Sequence, residues 1–180
     1  MHCSRTFGAG AAGLLAAVFV AIFSIGRAAL AQEAGGPVYE PGNGALQSWG
    51  AEGLAASPTW VQYWIYFMLA AFAVGLIFAV LGRLEAIVVT LGFVAGVAGG
   101  DAIAAALGVP PLSGFVALIH LVFWTPGLIL LLARRRFLRE RSAYGVWTGV
   151  ITAVILFSFI FDIRDAAIYL DHVLELGALA

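Results

Sequence analysis

Lysine is absent from this 180-residue chain, and charge of either sign is scarce: nine arginines and ten acids make up 11% of the residues. A soluble domain normally carries about a quarter charged residues. With 63% hydrophobic residues and a mean hydropathy of +1.03, too little polar surface remains to cover a water-facing globule. Most of the chain must face lipid or other apolar helices. Cysteine is nearly missing as well. Cys3 is the only thiol and precedes the first hydrophobic run, so the rest of the chain has no disulfide framework and no Cys-ligated metal or cluster site. A phosphate-binding glycine loop and a nucleic-acid signature are also missing.

What is present begins with a pattern resembling an export signal over residues 1–31. Arg5 opens it, Thr6 to Gly26 is uncharged, and Ala29-Leu30-Ala31 offers the small residues a signal peptidase needs. Cleavage before Gln32 is expected; an uncleaved anchor helix is the alternative, because the uncharged run exceeds the usual signal core. Residues 32–58, with the Gly- and Pro-rich GGPVYEPGNG, read as an extended, exposed loop.

Four membrane-length segments follow: Trp60–Gly82, Ala86–Gly108, Leu112–Ala133 and Tyr144–Phe161. At 1.5 Å per residue the first three span about 33 Å each and the last about 27 Å, close to the hydrocarbon thickness. Their connections are too short to hold a domain. The predicted fold class is therefore all-α, an integral four-helix up-down transmembrane bundle over residues 59–161 (five helices with an uncleaved signal). Residues 162–180 read as an outward-facing amphipathic helix. Arg134, Arg135, Arg136, Arg139 and Arg141 crowd the connection between the third and fourth segments, and Arg83 joins them from the connection between the first two. That end is predicted to be cytoplasmic, with anionic lipid as its neighbour, in a bacterial inner membrane with the C-terminus periplasmic. Trp60, Tyr63 and Trp64 at one rim and Tyr144 and Trp147 at the other suit aromatic belts.

Within the second segment Gly92, Gly96, Gly100, Ala104 and Gly108 recur at every fourth place. Residues four apart share a helix face. In lipid, association depends on close backbone approach, so this stripe predicts a helix contact, either inside the chain or with a partner. Asp101 borders its outer end. His120, on a face of the third segment with Ser113, Ala117, Trp124 and Gly127, falls within about a helical turn of the same depth. An intramembrane carboxylate and imidazole mark a candidate proton or ion site if they meet. The opposite face of that segment, with Phe115, Leu118, Val122 and Ile129, is expected to look at lipid. Beyond the fourth segment Asp162, Asp165, Tyr169 and His172 recur at helical steps and predict a polar face solvated at the outer interface.

No catalytic constellation emerges, and no cofactor or metal site. Asp162 and His172 are about 15 Å apart along one helix, too far for one ion, and His120 and His172 lie at different depths, which rules out a bis-histidine haem. Leu112-Ser113-Gly114 lacks the flanking glycine of a nucleophile elbow. The expected role is non-enzymatic: an accessory or assembly partner of a larger membrane complex, packing through the glycine face onto another membrane protein or a second copy. The alternative is a small oligomeric proton- or cation-linked transporter or channel.

Overall fold

The computed structural model describes residues 44–47, 49–109 and 112–178, with residues 51 and 52 by their backbone alone. The predicted leader lies outside these residues, as does the predicted loop up to residue 43. The described residues form helices and no strand: a 3-10 turn Gly44–Leu46, then α1 (Ala51–Ala56), α2 (Thr59–Val80), α3 (Leu84–Leu107), α4 (Ser113–Arg134), α5 (Arg136–Arg139) and α6 (Ala143–Val173). Four stretches are long and apolar enough to cross a membrane: α2, α3, α4 extended through α5, and α6.

Glycine ends two of these helices. Gly82 and Gly108 adopt positive φ, +76° and +65°, where a Cβ is strained. Gly108 therefore belongs to the C-terminus of α3 and not to its packing stripe, a correction to the five-residue pattern. Arg135 takes a left-handed φ of 50° without being glycine and breaks α4 from α5. Its Nε donates to the Leu132 carbonyl at 3.2 Å, which fixes the corner. Ser142 caps α6, its hydroxyl oxygen accepting from the Gly145 N–H at 3.1 Å.

The long helices pack in a ring, α2 on α3, α3 on α4, α4 on α6, and α6 back on α2. Short connections make each antiparallel to the last, so the joints holding Arg83 and Arg134–Arg141 share one end of the bundle, the arginine end. The core of the ring is aromatic. Phe72 stacks on Phe93 at 4.3 Å, and Trp124 sits 5.0 Å from Phe72.

Two expectations need correction here. Tyr144 and Trp147 are not a lipid-facing belt; both are buried, and the Trp147 Nε1–H donates to the Ala71 carbonyl at 2.9 Å. That indole fits because Gly75 has no side chain: a Cβ there would lie 2.8 Å from the ring. The helical stretch expected beyond Phe161 is the continuation of α6, which runs unbroken to Val173. The predicted exposed loop docks at its end: Ala45 is buried, and the Gln47 carbonyl accepts from the Ser113 N–H at 2.8 Å, satisfying a donor at the start of α4.

Candidate functional site

The glycine stripe is a seam between α3 and α4. A Cβ on Gly92 would collide with the Phe123 carbonyl oxygen, so the two backbones touch there. At Gly96 it would meet Trp124 Nε1 at 3.4 Å, and at Gly100 it would meet Ile119 at 3.7 Å. Ala104 continues the contact, buried with Ile119 and Phe115. Gly127 answers from α4, its Cβ position 2.9 Å from Val89. The groove along Gly92, Gly96, Gly100 and Ala104 is thus filled by α4 of this chain.

Asp101 and His120 do not meet. Asp101 is on the outward face of α3, beside the exposed Ala98, Ala102 and Ala105, with no ion pair or side-chain hydrogen bond among the described residues. It sits about 8 Å from the midpoint of its helix. His120 faces α6 instead. Its Nδ1 is 3.4 Å from Asp162 Oδ2, and both side chains are about six-sevenths buried (15% and 14% exposed). This is ion-pair distance without hydrogen-bond geometry; neither buried atom has a hydrogen-bond partner. The imidazole stacks on Trp124, centroids 4.0 Å apart and planes 17° apart. His120 lies about 5 Å from the midpoint of α4, well inside the apolar length of the bundle.

The face holding Asp162 therefore packs on α4 and is not solvated at the interface as predicted. Tyr169 is buried edge-on against Phe115, 5.8 Å between centroids, which also removes Phe115 from the expected lipid face. Gly114 allows the approach, its Cβ position 2.5 Å from Tyr169 and 2.6 Å from the Asp165 carbonyl. Asp165 is half-buried and pairs with Arg164 at 3.4 Å; His172 alone of the four is exposed.

A second polar centre escaped the sequence reading. Glu85, in the first turn of α3, is only 2% exposed. Its Oε2 accepts from the Tyr144 hydroxyl at 2.8 Å and its Oε1 from Arg136 Nε at 3.1 Å, with Arg134 at 3.6 Å. Arg136 also pairs with Glu140, and Arg83 lies 4.9 Å over the Tyr144 ring. Part of the arginine cluster is therefore spent inside the bundle. Arg139 and Arg141 stay exposed. The available signal was one acid opening an apolar segment at the same end as six arginines.

No known protein family, curated protein or solved structure matches the chain. Among the described residues no three His, Cys, Asp or Glu side chains are grouped to hold a metal ion.

Proposed function

We propose that the chain is an integral membrane protein with a non-enzymatic role, an accessory or assembly partner of a larger membrane complex. In this reading it lies in a bacterial inner membrane, with the arginine end cytoplasmic and the C-terminus periplasmic. Asp101 carries the reading. A carboxylate uncovered by its own bundle at membrane depth costs about 3 kcal/mol to place in lipid, and a donor from another helix offsets that. The alanines at positions 98, 102 and 105 around it permit close backbone approach. The contact surface is thus the outward face of α3, not the glycine stripe, which α4 occupies.

The test is co-purification in mild detergent. Asp101→Asn and Ala102→Leu should each reduce the associated partner, another protein or a second copy, about tenfold while helical content stays unchanged. Association intact in both variants overturns the reading. A second reading, a small proton- or cation-linked transporter, draws on the His120–Asp162 pair; proton-driven flux in vesicles that stops in His120→Ala would favour it over the first.

A further inference from the structure

Four of the six arginines at one end of the bundle serve the fold. Arg134 and Arg136 face Glu85, Arg136 also pairs with Glu140, Arg83 lies over the Tyr144 ring, and Arg135 makes the α4–α5 corner. Arg139 and Arg141 have no such task. Both are exposed and pair with no acid among the described residues. Against the six arginines of this end stand only Glu85 and Glu140, which leaves a surplus of four positive charges.

Arg141 lines a cleft of about 650 Å³ where the chain turns from α5 into α6, with Phe137, Glu140, Gly145, Val146 and Gly149 among its walls. Ligand sites occupy about 300–1,000 Å³. Two glycines shape this one. A Cβ on Gly145 would collide with the Glu140 carbonyl, and one on Gly149 would meet Phe137 at 3.2 Å, so α5 and the turn after it lie close against bare helix backbone. Glu140, the acid of the wall, is already paired with Arg136, which leaves Arg141 as the uncommitted charge. Beside that charge the surface is apolar. Val146 and Val150, four residues apart on one face of α6, are 66% and 37% exposed.

Depth decides what can fill the cleft. It lies between the end of α4 at Arg134 and the start of α6 at Ala143, where the apolar spans begin and hydrocarbon gives way to headgroups. A ligand at that level has an anionic group for Arg141 and an apolar body for the valines. We infer that the cleft seats one anionic phospholipid, its phosphodiester against Arg141 and an acyl chain along Val146 and Val150. The guanidinium can hold two phosphate oxygens at once, and Arg139 adds attraction at the surface. A zwitterionic lipid brings the same phosphate with an ammonium group that the positive surplus of this end repels.

Native mass spectrometry tests this on the full chain, released into mild detergent from nanodiscs of equal parts phosphatidylglycerol and phosphatidylcholine. The unaltered protein should keep one phosphatidylglycerol, about fivefold or more in preference to phosphatidylcholine. Arg141→Gln should lower that retention about fivefold, the loss of one arginine–lipid attraction, and Arg139→Gln should lower it less. Arg164→Gln, at the other end of the bundle, should leave it unchanged. Val146→Trp fills the cleft while keeping every charge and should remove the bound lipid. The inference fails if the two lipids are kept alike, if Arg141→Gln keeps phosphatidylglycerol, or if Arg164→Gln loses as much as Arg141→Gln. It fails too if Val146→Trp binds as the unaltered protein does, which would reduce the arginines to a diffuse attraction for the membrane surface. Circular dichroism checks that each variant folds; where Val146→Trp does not, Val146→Phe takes its place. None of these outcomes depends on Asp101 or on which compartment the arginine end faces, so this inference and the assembly reading fail separately.

Discussion

Two buried carboxylates in this bundle face cationic or potentially cationic partners, and they are treated in opposite ways. Glu85, at the arginine end, is held by Tyr144 and Arg136 hydrogen bonds with Arg134 alongside. Asp162, near mid-depth, stands 3.4 Å from an imidazole with no hydrogen bond completed. The first arrangement ties the start of α3 to the start of α6 and to the α4–α5 corner, residues 51 and 59 positions away in sequence. It has one stable form. The second is a contact at ion-pair distance that falls short of hydrogen-bond geometry. A carboxylate saturated with donors fixes shape, whereas one that completes no hydrogen bond holds its neighbours less firmly.

The largest expected effect is that of Glu85→Ala. Removing one partner of a buried ion pair costs about 3–5 kcal/mol, mostly because the remaining charge is stranded. Arg134 and Arg136 are 40% and 36% exposed and keep contact with water, which puts the cost near the lower limit, about 3 kcal/mol. Denaturant unfolding in detergent micelles measures it. A loss below about 1 kcal/mol would mean that the clamp does not fix the arginine end.

The glycine seam gives a smaller effect with an internal control. A methyl at Gly92 meets a backbone carbonyl that cannot move without shifting α4, so Gly92→Ala should cost about 2 kcal/mol. At Gly99 nothing lies within 4 Å of the Cβ position, and Gly99→Ala should be neutral or gain up to about 1 kcal/mol from helix propensity. Equal effects at the two positions in the same unfolding measurement would remove the seam as a determinant of the α3–α4 contact.

How much of this was legible from sequence follows one rule and its failure. Segment lengths and hydropathy placed α2 and the start of α4 to within two residues, because a helix must match the apolar thickness it crosses. Charge was equated with the membrane edge at two places: the second segment was begun just after Glu85, and the fourth was ended before Asp162 although its helix was expected to run on. Both acids lie inside helices and out of water. Each is tolerated because a distant side chain faces it, Tyr144 and Arg136 in one case and His120 in the other. Hydropathy treats residues singly, so it cannot register a partner 51 positions away. The same limit explains why His120 was matched by depth to Asp101. Depth follows from counting along a helix, but lateral direction depends on which helices are neighbours in the ring, and α4 turns this face to α6.

The smallest effect is expected at Asp162. Asp162→Asn preserves side-chain volume, and the amide N–H can donate to a neutral imidazole nitrogen, so it removes a charge without opening a cavity or stranding a saturated network. Because the native pair completes no hydrogen bond, its loss forfeits little: unfolding stability near neutral pH should change by less than about 1 kcal/mol, against about 3 for Glu85→Ala. The direction is informative too, since an asparagine that completes the missing hydrogen bond should stabilise α4 against α6. A loss approaching that of Glu85→Ala would show that the mid-depth pair is a structural clamp of the same kind as the one at the arginine end. The distinction between a carboxylate fixed by hydrogen bonds and one that completes none would then disappear.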